Sequence, residues 1–161
     1  MSKIDLSVKI GSLQLRNPIM LASGTVGYGN EISEFSDLNK LGAIVTKSLS
    51  LKPRKGNPPQ RIVETPAGML NAIGLANVGV EEFLKEKIPF IKKFDVPLIC
   101  NIAASTVEEY VECTRILDSE VTIKAFEINV SCPNVKDGGL QFGNDKNAVG
   151  NVTAKVRAVT N

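Results

Sequence analysis

The chain contains no histidine and no tryptophan, and aromatic residues make up only 5% of its 161 positions. Without histidine, proton transfer near neutral pH falls to a carboxylate, a lysine or a thiol. Cysteine is scarce: Cys100, Cys113 and Cys132 are odd in number and far apart. They fit neither a disulfide framework nor a zinc site, and they are too few for a four-thiolate iron–sulfur cluster. No apolar run approaches a membrane span, and the first fifteen residues alternate polar and apolar without the apolar core of a signal peptide. No charge of one sign dominates: 19 basic against 17 acidic residues leave +2, too balanced for a nucleic-acid or membrane partner. The expectation is a reduced, cytoplasmic protein. Its length and its 43% hydrophobic and 22% charged content are those of one ordinary globular domain with a real core.

What is present concentrates in Glu127-Ile-Asn-Val-Ser-Cys-Pro-Asn134. An apolar run, Ala125-Phe126 and Ile128, delivers Asn129, Ser131 and Cys132 in quick succession. Pro133 and Asn134 then turn the backbone. A core strand would continue apolar, and a surface turn has no use for cysteine, so the segment has the character of a binding-site wall.

The rest of the chain alternates strands and helices. Residues 7–10 and 13–15 form a small hairpin around Gly11-Ser12. Pro18–Ala22 is a buried strand, and Ile32, Phe35 and Leu38 mark a short helix that stops before Gly42. Ala43–Val45 is a second strand, ending in Thr46-Lys47-Ser48. Residues 51–79, rich in proline, glycine and basic side chains, are expected to be irregular. A helix over 80–94 bends at Pro89. A third strand, Val96–Cys100, ends at Asn101. Ser105-Thr-Val-Glu108 is a capping box opening a helix with Val107, Tyr110, Val111, Thr114 and Leu117 on one face. The fourth strand leads into Asn129 and Cys132, and Val152, Val156 and Val159 mark a last helix.

Such alternation implies a parallel sheet. In a doubly wound sheet ligands gather at one switch point. In a (β/α)8 TIM barrel every strand's carboxyl end faces one central site. Here four consecutive strands end in polar groups (Ser23 and Thr25, Lys47 and Ser48, Asn101, Asn129 and Cys132), which favours the barrel. A whole barrel needs about 250 residues, so residues 1–161 are expected to be the N-terminal half of one such domain: the hairpin and the first four βα units.

The motifs Ala22-Ser-Gly-Thr25, Thr46-Lys-Ser48, Arg54-Lys-Gly-Asn-Pro-Pro-Gln-Arg61, Glu64 to Leu75 (ETPAGMLNAIGL), Cys100-Asn-Ile-Ala103 and Ile128-Asn-Val-Ser-Cys-Pro-Asn-Val135 resemble, in order, the N-terminal half of the class 1 dihydroorotate dehydrogenases. They are most similar to the NAD-linked class 1B branch. The resemblance implies an FMN-dependent oxidation of (S)-dihydroorotate to orotate in pyrimidine biosynthesis, with the hydride going to N5 of FMN and the proton to a cysteine base. It also implies a partner subunit carrying FAD and an iron–sulfur cluster that passes electrons to NAD, and a homodimer within a heterotetramer.

Carried over residue by residue, the resemblance makes Cys132 the base. An ordinary thiol, with a pKa of about 8.5, lies close enough to working pH to serve. A free cysteine is more often a small buried hydrophobe, and that is the reading for Cys100 and Cys113. Lys47 would hold the substrate carboxylate; on spacing alone a solvated lysine at a strand end is the commoner case, and the neighbouring motif reverses the odds. Asn71, Ile73, Gly74, Leu75, Asn129 and Asn134 would line the substrate, the amides suiting the imide edge of a pyrimidine. Taken singly, such Asn and Gly residues are more often turn residues. Ala22, Ser23, Gly24, Lys47, Ser48, Asn101 and Asn129 would line FMN. The glycine-rich run Gly24–Gly29 has the wrong order for a dinucleotide fingerprint, and barrels usually hold phosphate after strands seven and eight. A fumarate-linked class 1A enzyme, a dihydropyrimidine-dehydrogenase-like domain and a non-catalytic half-barrel without flavin are the alternatives.

Overall fold

A computed structural model describes residues 4–131 and 142–160, so Cys132, Pro133 and Asn134 lie outside the described residues. In chain order the elements are β1 (Val8–Ile10), β2 (Leu13–Leu15), β3 (Met20–Leu21), β4 (Ala43–Val45), β5 (Ile62–Thr65), β6 (Gly68–Asn71), α1 (Gly79–Glu82), α2 (Ile88–Ile91), β7 (Leu98–Ile102), α3 (Val107–Asp118), β8 (Ile123–Ile128) and α4 (Lys146–Arg157). Strands β3, β4, β7 and β8 form one parallel sheet in that order, each beside its sequence neighbour, so the fold is α/β. No closed barrel is formed among the described residues. None of their helices is long and apolar enough to cross a membrane.

The sheet has two apolar faces because its central strands are buried throughout. On one face Ile44, Leu98, Cys100 and Ile102 pack with Phe83, Ile88 and Ile91 and with Tyr110, Cys113 and Leu117 of α3, and Val152 and Val156 of α4 complete that layer. On the other, Ala43, Val45 and Ile99 meet Leu15, with Val8, Leu13 and Ala125 at their margin. The antiparallel β1–β2 hairpin, with Val8 opposite Leu15, thus covers the lower part of this second face. Between the hairpin, β8 and α4 lies an open cleft of about 610 Å3, lined at the sheet edge by the half-buried Ala125, Phe126 and Ile128.

Several elements differ from the expectations, each for a local reason. The first strand keeps only Met20 and Leu21. It ends where the Ala22 carbonyl accepts from the Thr25 N–H and hydroxyl, which turn the chain out of the sheet. The expected helix over Ile32, Phe35 and Leu38 is a series of turns followed by one 3-10 turn, Leu38–Lys40. The Asp37 side chain takes the Asn39 N–H and starts a new turn there, and Phe35 is left 85% exposed. Residues 51–79 are not uniformly irregular: β5 and β6 pair as an exposed hairpin from Ile62 opposite Asn71 to Thr65 opposite Gly68.

The helix over Pro89 is continuous from Gly79 to Ile91, passing through one π turn, Phe83–Lys87, in which the Ile88 N–H reaches the Phe83 carbonyl. Pro89 lacks an N–H and its ring crowds the preceding turn, and the wider turn relieves both. The third strand runs Leu98–Ile102, two residues later than expected, because Pro97 can offer only its carbonyl, to the Ile44 N–H. The capping box is also displaced by one. Thr106 is the extended cap and accepts from the Glu109 N–H, while the Glu109 carboxylate takes the Ser105 N–H. The sequence holds two overlapping Ser/Thr-x-x-Glu patterns, and the second is used. Helix α4 ends at Arg157, before Val159.

Candidate active site at the carboxyl end of the sheet

The second face of the sheet is apolar at its floor and polar above. Strand register places Val45 beside Ile99 and Ile99 beside Ala125, and two residues further along places Asn101 beside Glu127. Side chains two apart in a strand share a face. The floor of Val45, Ile99 and Ala125 therefore gives way to Asn101 and Glu127, with Lys47 and Asn129 following at the same two-residue spacing. The alternation that buries the floor is what raises the polar tier.

Hydrogen bonds fix this tier. The Asn101 N–H donates to Thr46 Oγ1 at 3.1 Å and its carbonyl accepts from the Leu49 N–H at 2.9 Å. The Asn101 side-chain Nδ2 donates to Glu127 Oε1. Asn129 Nδ2 donates to Ser48 Oγ at 3.2 Å. The Asn129 backbone is held on both sides: its N–H donates to the Ile102 carbonyl at 2.9 Å, and its carbonyl accepts from the Tyr110 hydroxyl at 2.6 Å. The Lys47 N–H donates to the Gly27 carbonyl at 2.7 Å, joining the Ala22–Gly29 segment to the end of β4. The structure thus brings Lys47, Ser48, Asn101 and Asn129 to one end of the sheet, with Ala22, Ser23 and Gly24 at the end of the neighbouring strand β3.

The substrate candidates on the arm stand apart. Asn71 ends β6, is exposed, and no hydrogen bond joins it to Lys47, Asn101 or Asn129 among the described residues. Ile73 accepts the Asn57 N–H at 3.1 Å. Gly74 has φ +72°, and a side chain there would meet Asn57 backbone at 2.7 Å, so the glycine is required by the arm's own packing. Leu75, also left-handed at φ 56°, gives its carbonyl to Asn77. Asn77 anchors this return segment through its buried side chain, which accepts from the Ser50 and Gly79 N–H groups at 3.2 and 2.9 Å.

Chemically the tier offers an ammonium, a hydroxyl, two amides and a carboxylate over an apolar floor. One acceptor is unsatisfied: Asn101 Oδ1 is buried without a hydrogen-bond partner, and Asn101 is only 4% exposed. A buried acceptor left open in this way costs free energy unless a ligand donor meets it. Among the described residues no cluster of three or more His, Cys, Asp or Glu could hold a metal ion. Burial pushes the Cys113 thiol up to about 12, with Glu109 and Glu112 adding to the shift. Burial raises the Cys100 thiol further, opposed by a hydrogen bond with Thr46. Neither is a thiolate at neutral pH. Sequence reasoning missed three of the residues that build this end of the sheet: Glu127, Tyr110 and Asn77. Glu127 was legible in the Ala125–Glu127–Asn129 alternation. The other two act across gaps of 19 and 27 residues, which no local pattern encodes.

A family model described as dihydroorotate dehydrogenase matches residues 5–161. The chain belongs to the dihydroorotate dehydrogenase family. Its similarity to curated members extends over nearly its whole length. The protein of Geotalea daltonii named dihydroorotate dehydrogenase B (NAD(+)), catalytic subunit, is 55% identical over 160 residues, which are 99% of this chain and 52% of that protein. Those of Trichlorobacter lovleyi and Geobacter sulfurreducens, with the same name, are 56% and 54% identical over 98% and 99% of this chain, again 52% of each relative. The chain spans about half the length of the curated relatives it matches. In dihydroorotate dehydrogenase terms, the matched stretch includes the sheet, its polar end and the Cys132 segment.

Proposed function

We propose that this chain forms the first half of an FMN-binding (β/α)8 barrel that oxidises (S)-dihydroorotate to orotate, in the NAD-linked manner of a catalytic subunit. β3, β4, β7 and β8 would be its first four barrel strands and the β1–β2 hairpin the plug of its floor. The observation that carries the reading is the buried, unpartnered Asn101 Oδ1 at the end of the parallel sheet that also carries Lys47 and the hydrogen-bonded pair Ser48 and Asn129. A flavin ring has an N–H to meet that acceptor and an apolar body to lie over Val45, Ile99 and Ala125. Ala22, Ser23 and Gly24, which add little bulk, would leave room for its edge.

Bound FMN supplies a two-electron acceptor. The chain's own residues do the rest. The Lys47 ammonium binds the substrate carboxylate and counters negative charge that develops in the site. Asn129 and Asn134 orient the pyrimidine through amide hydrogen bonds, and the Asn71–Leu75 segment closes over it from the arm. Cys132 takes the proton from the substrate carbon as its thiolate, leaving a neutral thiol. A partner subunit holding FAD and an iron–sulfur cluster would supply the electron path to NAD, in a heterotetramer built on a homodimer.

Stopped-flow flavin reduction by dihydroorotate tests this reading. A thiolate base predicts a rate that rises with pH toward the ordinary thiol range of about 8.5. Cys132→Ala should slow reduction by at least about 100-fold, and Lys47→Ala should chiefly raise the substrate concentration needed. A flat pH profile, unchanged by Cys132→Ala, removes the cysteine from the mechanism. The open sheet edge along Ala125, Phe126 and Ile128 favours a second reading, a flavin-free half-barrel. Its mark is a colourless preparation that takes up no FMN.

A further inference from the structure

We infer that Glu127 is a positioning residue of the flavin site, fixing the Asn101 amide so that Oδ1 is presented as acceptor to an N–H of the bound heterocycle. The inference rests on the flavin reading above and adds to it a residue that touches no ligand itself. Asn101 and Glu127 are paired in register on adjacent parallel strands, so their side chains rise on the same face. Asn101 Nδ2 donates to Glu127 Oε1. An ionised carboxylate only accepts, so it admits one orientation of the amide, with nitrogen toward Glu127 and oxygen away. That oxygen is the buried atom without a partner.

Among the described residues the Asn101 amide is the one side-chain partner of the Glu127 carboxylate. Glu127 is solvent-exposed and stands directly above the apolar floor at Ala125. Among the described residues no cation lies within ion-pair distance of it. The Asn101 backbone is already held by Thr46 and Leu49, so Glu127 adds nothing to strand pairing that they lack. With the amide reversed, its NH2 would face the ligand's N–H, donor against donor. Selecting a planar N–H heterocycle is thus a matter of which end of Asn101 points inward, and Glu127 decides it.

Flavin-fluorescence quenching by the 161-residue chain gives the dissociation constant for FMN. Glutamine at 127 can offer Asn101 either a donor or an acceptor, so Glu127→Gln should weaken binding about tenfold. Asn101→Ala should weaken it at least as much, and adding Glu127→Gln to Asn101→Ala should change nothing further. Unchanged affinity in Glu127→Gln overturns the inference and leaves the flavin reading standing. So does a Glu127→Gln effect that persists in full without the Asn101 amide. A Glu127→Gln chain that no longer unfolds cooperatively makes Glu127 a structural residue and also overturns it. Failure of the unaltered chain to quench flavin at all sinks both.

Discussion

Asn129 carries more of the site's geometry than any other single residue. Its amide reaches Ser48, its N–H is fixed by Ile102, and its carbonyl takes the Tyr110 hydroxyl from the helix behind the sheet. Tyr110→Phe keeps the ring's packing in the buried layer and removes the hydroxyl that donates to Asn129. It should cost about 1 kcal/mol, lower Tm by about 2–4 °C and loosen flavin binding, measured by thermal unfolding and FMN titration on the same samples. Gly42 makes a different demand. A Cβ there would sit 2.0 Å from the Asn17 carbonyl oxygen and 3.0 Å from that of Ile19, both backbone atoms that cannot swing aside. Gly42→Ala should therefore destabilise by about 2–3 kcal/mol, measured by denaturant unfolding. At this scale the sequence was legible where a residue sits in a strand: Lys47, Ser48, Asn101 and Asn129 follow apolar runs, and the sheet brings them together. It was silent where a residue's partner is far along the chain, as for Tyr110 and Asn77.

Among the elements, the arm from Arg54 to Gly79 depends on one side chain. Asn77 accepts from the N–H groups of Ser50 and Gly79 and donates to Ser50 Oγ and the Leu75 carbonyl. Asn77→Ala strands several buried polar groups and should cost about 3 kcal/mol. Hydrogen exchange at Ser50 and Gly79 should accelerate while Ile99 and Cys100 stay protected. A second tie joins the end of α2 to the turn before β8. Burial disfavours the charged form of the Glu120 carboxyl, but hydrogen bonds from the Thr122 hydroxyl and N–H and from Lys92 outweigh it and hold its pKa below the ordinary glutamate value. A depressed carboxylate stabilises the fold above its unfolded pKa and loses that contribution as pH falls through the folded value. Glu120→Gln should remove part of the fall in Tm below about pH 4.5 and leave its pH dependence near neutrality unchanged. Helix and strand periods gave the main elements, but turn chemistry was harder to see. Asp37 broke the expected helix at Phe35, and β5–β6 was hidden because its strands are exposed on both faces and lack alternation.

For the whole molecule, the four-stranded sheet ends at β3 on one side and β8 on the other, with no further strand paired to either among the described residues. The cleft beside β8 is lined by the half-buried Ala125, Phe126 and Ile128, and unpaired sheet edges recruit further strands. The isolated chain should self-associate, and light scattering coupled to gel filtration should show a species heavier than 17.3 kDa. Strand order and the position of the polar tier were legible from four polar-tipped apolar runs. A closed barrel is not formed among the described residues, whose four parallel strands make an open sheet. The proposed flavin site for dihydroorotate lies at the polar end of this sheet. Its most direct test is the visible absorbance of the purified, FMN-supplemented chain before and after anaerobic addition of dihydroorotate. A protein-bound flavin band that bleaches is expected, and a band that stays, or no bound flavin to bleach, overturns the proposal.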